Sequence, residues 1–397
     1  MKLLSVEAAR SAIVAEATPL PAETIALQSA NGRVLAEDVA AVRAQPPFTN
    51  SAMDGWAVRS AETPGALAIV GESAAGHGYE GALAPGQATR IFTGAALPGG
   101  ADSVVIQENA TRDGDRVTVP AAAPGDNIRD AGKDFRAGEV LLTKGTRIDP
   151  WRLSLAASAG RAEVSVHRKL RVAILSTGEE IVEAPAKPGP FQIYDSGSPA
   201  LKVMCEAWGA EASKLSGIRD QLDAVIAAMR AAEADLIVTV GGASVGDHDL
   251  VRAAAEALGI QYRVESVAVR PGKPTFFGVL ADGRRLLGLP GNPASAFVCA
   301  ELFLKPLIAA YCGAPHQPRM TSARLAEPLA ANGPREHWMR AKLTYADGAI
   351  TAHPYRDQDS SLVSVFAAAD ALLKRPAGAP ACAAGDLVEV LALDRAG

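Results

Sequence analysis

The sequence has few of the residues that build cross-links and metal clusters. It contains four cysteines in 397 residues without a C-x-x-C spacing, which argues against a disulfide framework. Its six histidines never stand three or four residues apart, so the sequence predicts no zinc site. Excess positive charge is also missing. The net charge is −5, which excludes the broad basic footprint of a nucleic-acid-binding protein.

Long apolar runs are absent too, although 48% of the residues are hydrophobic. Since a membrane helix needs ~18 or more apolar residues in succession, we expect no membrane span. Near the start, Glu7, Arg10 and Glu16 interrupt an apolar pattern, which predicts an amphipathic helix and not a signal peptide. We therefore expect a cytoplasmic protein with neither membrane nor nucleic acid as a partner. The length favours two to four domains.

What the sequence does contain is a strand, a glycine-rich turn and a helix over residues 235–259. The run DLIVTV is typical of a buried strand, and the helical pattern after Asp249 ends at Gly259. The intervening GGASVGDHD has the composition of a turn that presents backbone N–H groups to an anion. Because the turn also carries Asp247 and Asp249, a phosphate held with a divalent cation is predicted. An ordinary connection between a strand and a helix is the alternative.

The chain on the amino-terminal side changes character twice. Residues 5–17 and 23–37 have helical spacing, whereas AETIAL and NGRVLAEDV, which overlap the second run, favour extended structure. Between residues 46 and 142 the apolar runs are short and broken by Gly or Pro, which predicts a small β domain. Residues 147–160 again predict a helix, with Asp149 as its N-cap.

From residue 170 onwards, strands and helices alternate. This order predicts a mostly parallel sheet covered on both faces, including a hairpin over 275–289 and a long helix over 293–311. Ligands of such sheets lie beyond the carboxyl ends of the strands. Short strands return after residue 317 and predict a second small β module.

Loops at that edge of the sheet carry acids, hydroxyls and glycines. The candidates are Thr177, Gly178 and Glu180 after the first strand, Asp195 and Ser196 before the next helix, Asp220, and Gly241, Gly242 and Ser244 in the glycine-rich turn. Each alone is weak evidence, and Asp220 is also a good helix cap. Their common position favours one binding site.

Two proline-containing turns add positive charge and a helix start. In LPGNPAS, Asn292 is predicted as the N-cap, with Pro293 and Ser295 in a first turn whose N–H groups would point at an anion. In RPGKP, Arg270 and Lys273 supply full positive charges. The alternative is a capped helix beside a stiffened turn.

Seven motifs, in this order, resemble those of one known family. They are NSAMDGWAV, IFTGAALP, STGEE, YDSGS, GGASVGDHD, VRPGKP and LPGNPAS. The family is that of the molybdopterin molybdenumtransferases, which includes the bacterial MoeA proteins and the E domains of a plant relative and of animal gephyrin. The resemblance covers essentially the full chain.

The resemblance implies a multidomain α/β and β fold. A split helical linker domain (1–45 with 143–169) would hold an inserted β domain (46–142). A three-layer α/β domain like the MogA adenylyltransferases (170–317) and a C-terminal β-barrel (318–397) would follow. The family works as a homodimer with shared active sites, which makes a second copy the expected partner. Other molybdenum cofactor biosynthesis proteins are further candidate partners.

The resemblance also implies the reaction. Molybdate is inserted into adenylylated molybdopterin, AMP leaves, and the step depends on Mg²⁺. Catalytic roles would fall to Asp54, Thr93, Asp134, Glu180, Asp220 and Asp249, and Mg²⁺ to Asp220, Asp247 and Asp249. Substrate contacts would come from Thr177, Gly178, Asp195, Ser196, Gly241, Gly242, Ser244, Lys273, Gly291, Asn292 and Pro293. Molybdate would be held by Arg270, Lys273, Ser295, Arg340 and Ser360.

Arg270 stands where the family often has lysine, so charge is kept but geometry differs. Two other functions compete. A molybdopterin adenylyltransferase would need only the α/β part, which is less than half of the chain. A dimeric scaffold is the non-enzymatic alternative.

Overall fold

The computed structural model describes residues 3–215, 217–241, 250–316 and 318–394. The described chain forms two compact units. The larger unit lies within Met1–Glu23, Gly32–Ala36 and Val166–Gly397, and the smaller within Thr24–Asn31 and Glu37–Ser165. Each is therefore built from segments that are distant in sequence. The domain boundaries given above stay predictions.

The helices and strands are numbered along the chain. The helices are α1 (Val6–Val14), α2 (Pro150–Ser158), α3 (Gly197–Ala207), α4 (Leu222–Ala231), α5 (Leu250–Ala257), α6 (Pro293–Cys299), α7 (Lys305–Tyr311) and α8 (Val363–Ala368). The strands are β1 (Leu3–Leu4), β2 (Ala22–Ala26), β3 (Val39–Ala40), β4 (Asn50–Ser51), β5 (Gly55–Val58), β6 (Gly65–Ser73), β7 (Gln87–Ile91), β8 (Ser103–Ile106), β9 (Thr111–Asp113), β10 (Arg116–Val119), β11 (Ile128–Arg129), β12 (Val140–Leu142), β13 (Glu163–His167), β14 (Arg171–Ser176), β15 (Ile181–Val182), β16 (Ile193–Tyr194), β17 (Glu211–Leu215), β18 (Leu236–Val240), β19 (Gln261–Val264), β20 (Ser266–Val267), β21 (Val269–Arg270), β22 (Phe276–Val279), β23 (Arg285–Leu289), β24 (Met320–Leu325), β25 (Glu336–Ala346), β26 (Ala349–Pro354), β27 (Ala371–Arg375) and β28 (Leu387–Ala392).

The smaller unit contains a six-stranded sheet in the order β8-β5-β7-β6-β10-β9. Trp56, Val58, Leu67 and Val105 bury one face of it in a compact core. The predicted β domain is thus confirmed. Helix α2 begins as predicted, because the Asp149 carboxylate accepts a hydrogen bond from Arg152 N–H and Pro150 occupies the first turn.

The helical spacing over residues 23–37 does not form an α-helix, and the extended structure expected at AETIAL is confirmed. Ala22–Ala26 is strand β2, and a short 3₁₀ turn covers Leu27–Ser29. The Leu27 N–H donates to the carbonyl of Ala162, so its hydrogen-bond partner lies far along the chain. Long-range pairing overrides the local helical spacing at this point.

In the larger unit, a sheet in the order β17-β14-β18-β23-β22-β19 is parallel across its first four strands. All five residues of β18 are buried, as expected of a strand covered on both faces. The predicted hairpin is confirmed, since β22 and β23 pair antiparallel. All four parallel strands end at the same edge of the sheet, the carboxyl edge.

A continuous helical segment, Pro293–Tyr311, follows this sheet. It consists of α6, a π-helical turn over Ala300–Leu304, and α7. The segment is long and apolar enough to cross a membrane by length and composition alone, but 89% of an 18-residue stretch of it is buried within the structure. Its apolar side chains belong to the main core of the unit.

The last strands close into a barrel. The order β25-β26-β24-β28-β27 returns to its start because β25 also pairs with β27, so five strands form a closed ring. Strand β21 of the α/β part pairs in parallel with β25. Trp338, Leu372 and Leu391 of the barrel share a core cluster with the sheet. The predicted C-terminal β-barrel is confirmed.

Candidate active site

A cavity of about 1010 Å³ lies at the carboxyl edge of the α/β sheet, where a barrel loop also reaches it. The structure brings fourteen of the sequence-predicted site residues to its lining. They are Thr177, Gly178, Glu180, Asp195, Ser196, Asp220, Gly241, Arg270, Lys273, Gly291, Asn292, Pro293, Ser295 and Ser360. Sequence motifs more than 180 residues apart therefore meet in one space.

The turn that carries Arg270 and Lys273 is fixed by contacts with Thr275 and Cys299. Thr275 Oγ1 donates to the Gly272 carbonyl at 2.7 Å and lies 3.1 Å from the buried Cys299 sulfur. Gly272 has φ +117°, and a Cβ there would lie 2.2 Å from Cys299 Sγ, so only glycine fits. The turn is thus held tightly against α6, while the Arg270 and Lys273 side chains stay exposed.

The start of α6 is tied to the barrel. Asn292 stands at the N-cap position, but its amide Nδ2 donates to Ser360 Oγ at 2.8 Å and makes no cap bond. The Ala294 N–H donates to the Ser360 carbonyl. One of the N–H groups expected to face an anion is therefore already engaged. Ser295, 4% exposed, still lines the cavity beside it.

Arg340 does not line the cavity, contrary to its predicted contact with molybdate. The side chain is 0% exposed, and its Nη2 donates to the Asp359 carbonyl at 2.8 Å. Its backbone exchanges two hydrogen bonds with the Gln358 amide. Arg340 thereby supports the loop that presents Ser360 to the cavity. Burial lowers the pKa of Arg340.

Arg335 lines the cavity instead, and sequence reasoning missed it. It precedes β25, whose parallel pairing with β21 places Val269 opposite Glu336. Its Nη1 lies 3.4 Å from the Val269 carbonyl. Only this long-range pairing, which has no local sequence signal, brings Arg335 beside Arg270.

Positive charge is concentrated where the barrel meets the sheet. Burial and the charges of Arg270, Arg340 and Arg335 lower the pKa of His337 to about 4. His337 is therefore neutral at pH 7 and adds no charge of its own. A cluster of cations that suppresses a neighbouring imidazolium is also suited to attract an anion.

Asp195 has a supporting role that its motif did not reveal. Its carboxylate accepts hydrogen bonds from the N–H groups of Gly197 and Ser198 at the start of α3. Lys214 on β17 pairs with it at 2.8 Å. Burial would raise the pKa of Asp195, but the bonds from Lys214 and Ser198 outweigh it and lower the pKa. Helix α3 begins at Gly197, directly after the predicted site residues Asp195 and Ser196.

Asp54, Thr93 and Asp134 lie in the smaller unit. The Asp54 carboxylate accepts bonds from the Thr93 N–H at 2.7 Å and from its hydroxyl at 2.8 Å. These two bonds, the backbone one first, lower the pKa of Asp54. Asp134 is exposed in a loop. The structure thus joins Asp54 and Thr93, two of the three residues carried over from this part of the chain.

The remaining predicted residues, Gly242, Ser244, Asp247 and Asp249, lie outside the described residues. Within the described ranges, three or more Asp, Glu, His or Cys side chains nowhere form a metal-binding group. Further lining residues, which were not among the predicted site residues, include Ser176, Ile181, Ile193, Tyr194, Gly197, Arg335, Gln358, Asp359 and Ser361.

Comparison with known proteins agrees with this arrangement. Three family models match: the MoeA N-terminal region (domain I and II) over residues 4–160, the probable molybdopterin binding domain over 173–310, and the MoeA C-terminal region (domain IV) over 322–393. A Staphylococcus aureus (strain Mu50) protein named molybdopterin molybdenumtransferase is 32% identical over 399 residues, 98% of this chain and 95% of its own length. The chain belongs to the MoeA family.

Other MoeA relatives support the same assignment. A Haemophilus influenzae molybdopterin molybdenumtransferase is 39% identical over 315 residues, 77% of each chain. The crystal structure of a MoeA protein from Pyrococcus horikoshii has a TM-score of 0.84 at 31% identity, covering 98% of this chain and 99% of that one. The resemblance seen in the sequence motifs is confirmed.

Proposed function

We propose that this MoeA-family chain is a molybdopterin molybdenumtransferase that inserts molybdate into adenylylated molybdopterin and releases AMP. One observation carries the proposal. Arg270, Lys273 and Arg335 line a single cavity, and no carboxylate within the described residues pairs with any of them. Unpaired cations in a cleft favour an anionic ligand.

The lining suits both substrates chemically. Molybdate is a tetrahedral dianion, which guanidinium and ammonium groups would neutralise and the hydroxyls of Ser295 and Ser360 would bind by donating hydrogen bonds. A cavity of about 1010 Å³ has room for a nucleotide-sized molecule as well. These residues would bind and orient the reactants, so the proposal needs no nucleophilic side chain.

We also infer that the reaction depends on Mg²⁺. The carboxylates of Glu180 and Asp220 line the cavity and are exposed, and carboxylate oxygen is the ligand that this ion prefers. Since Mg²⁺ keeps several waters and needs only one or two carboxylates, these residues fit it. The bound ion would offset phosphate charge as AMP departs. Asp247 and Asp249, the other proposed ligands, lie outside the described residues.

A homodimer with shared active sites is part of the proposal, as are a cytoplasmic location and contacts with other cofactor biosynthesis proteins. The family resemblance assigns Asp54 of one copy to the site of its partner. Mixing inactive Asp54→Asn and Lys273→Met proteins tests this, because a mixed dimer would regain one intact site. Activity no higher than in either variant alone would argue against sharing.

The direct test supplies adenylylated molybdopterin and Mg²⁺ and follows AMP release. We expect AMP only when molybdate is added. Release of AMP at the same rate without molybdate would contradict molybdenum transfer. Adenylylation of free molybdopterin from ATP would instead identify the competing adenylyltransferase activity.

A further inference from the structure

The cavity has one wall that anion binding does not use. Residues 179–195 leave the sheet after β14 and form a small flap, held by the parallel pair β15 and β16. Ile181 of the first strand lies opposite Ile193 of the second. These two side chains and that of Tyr194 line the cavity.

The flap wall, defined as Ile181, Ile193 and Tyr194, is unusually open for apolar residues. Ile193 is 60% exposed and Tyr194 is 50% exposed. Among the large hydrophobic side chains exposed on the described surface, these two are the ones that line this cavity. Apolar area left uncovered inside a binding cleft commonly contacts a ligand.

Backbone hydrogen bonds and the ion pairs of Lys214 fix the position of the flap. The Ile193 N–H donates to the Glu180 carbonyl at 2.7 Å, and the Asp195 N–H donates to the Val182 carbonyl at 2.8 Å. Lys214 bridges the flap to the sheet, with its Nζ 2.8 Å from both Glu183 Oε1 and Asp195 Oδ2. The wall is thus positioned before any ligand arrives, which reduces the entropy lost on binding.

We propose that the flap wall is the subsite for a planar heteroaromatic ring, with Tyr194 contacting the face of that ring. The opposite side of the cavity carries Arg270, Lys273 and Arg335 for anionic groups. A ligand with a flat ring at one end and phosphate at the other would therefore bind in one orientation. Aromatic side chains bind flat heterocycles without needing a specific hydrogen-bond pattern.

The proposal of this subsite rests on the proposed function only for the chemical identity of the ring. Adenine and pterin are both planar heterocycles, and adenylylated molybdopterin contains both. The two sources are distinguished with separate probes, AMP and unsubstituted pterin. Binding of each to the ligand-free protein is measured by calorimetry, with no need for turnover.

The decisive variant is Tyr194→Leu, which keeps apolar bulk and removes the ring. Loss of one base–aromatic contact corresponds to about 5- to 150-fold weaker binding. Tyr194→Phe should bind like the wild type. Phe191→Leu is the matched control, because Phe191 is 92% exposed on the same flap but does not line the cavity. Circular dichroism would verify that each substituted protein keeps its fold.

A loss for AMP alone would assign adenine to the wall, and a loss for pterin alone would assign pterin. Unchanged affinity of Tyr194→Leu for both probes would overturn the proposal, as would failure of the wild type to bind either at millimolar concentration. An equal loss in Phe191→Leu would also overturn it, because the effect would then belong to the flap as a whole. If the ring subsite fails while molybdate-dependent AMP release persists, the proposed function still stands.

Discussion

Both edges of the α/β sheet carry positively charged side chains. Those at the amino edge are paired with a carboxylate, and Arg270 and Lys273 at the carboxyl edge are not paired with any described carboxylate. At the amino edge, where the parallel strands begin, Arg168 binds the Asp235 carboxylate through two hydrogen bonds of 2.7 and 2.9 Å, and the Arg171 N–H adds a third. A cavity of about 670 Å³ lies there as well. At the carboxyl edge, Arg270 and Lys273 have no ion pair within the described chain.

The difference separates supporting charges from binding charges. Burial would raise the pKa of Asp235, but the hydrogen bonds from Arg168 and Arg171 outweigh it and lower the pKa to about 2. Such a carboxylate is satisfied by the fold and has little capacity left for a ligand. Arg270 and Lys273 at the carboxyl edge form no ion pair with a described carboxylate, so their charge is available to a substrate.

The largest effect should come from Gly272→Ala. A Cβ at this position meets Cys299 Sγ at 2.2 Å, and the positive φ adds strain, so we expect a loss of about 3 kcal/mol or more in the free energy of unfolding. Gly283→Ala is the control at the amino edge, where φ is +86° but no atom lies within 4 Å. It should cost only about 1 kcal/mol. Urea unfolding compares them, and equal losses would show that crowding at Cys299 is unimportant.

Next in size is Arg270→Gln. Removing a charged hydrogen-bond donor should weaken molybdate binding by about 10- to 100-fold. The free energy of unfolding should change by less than about 0.5 kcal/mol, because the side chain is exposed and forms no ion pair with a carboxylate among the described residues. Arg171→Gln at the amino edge is the matched control and should leave molybdate affinity unchanged. A large stability loss in Arg270→Gln with normal molybdate affinity would erase the distinction between the edges.

Asp235→Asn should show the reverse of Arg270→Gln, with a loss of stability and no loss of molybdate affinity. We expect the free energy of unfolding at neutral pH to fall by about 2 kcal/mol, with molybdate affinity unchanged. Because the folded-state pKa is depressed, the wild-type contribution is present above about pH 4 and is lost as pH falls toward 2. The variant should lack this acid-dependent part in urea titrations at pH 7 and pH 3. Asp282→Asn, whose carboxylate is half exposed, should lose much less.

The sequence predicted where the carboxyl edge lies, but it did not show which arginine there is buried and which lines the cavity. The runs that became β14, β18 and β23 are mostly apolar, and those of β14 and β18 are also rich in β-branched residues, so their burial and the loops at their ends followed from composition. Arg335 and Arg340 are near each other in the sequence, just before and within β25. Which of them is buried depends on the pairing of β25 with β21 and β27, a long-range contact with no local signal.

The flap was missed for a related reason. Its strands, β15 and β16, are two residues long, which is too short to produce a recognisable alternation. Its link to the sheet depends on Lys214, which lies in β17, outside the sequence of the flap. Likewise, the sequence around β2 offered both helical spacing and the extended AETIAL, because local spacing carries no information about the distant partner of this strand.

The smallest predicted effect tests whether paired charges also help to position the flap beside the cavity. Glu183 is half exposed, so its pair with Lys214 should be worth less than about 1 kcal/mol. In Glu183→Gln, hydrogen exchange at the Ile193 amide should therefore rise by no more than about fivefold. Amides of α3 should be unaffected, because Lys214 still pairs with Asp195.

Glu206→Gln is the matched control, since it breaks a surface pair with Lys202 on α3 and should leave the flap unchanged. Lys214→Met removes both contacts and should accelerate exchange at Ile193 further. If exchange at Ile193 rises in Lys214→Met but not in Glu183→Gln, the flap is held through Asp195 alone. If neither substitution changes it, the paired charge of Lys214 has no part in positioning the flap, and the two strands hold it by their backbone bonds.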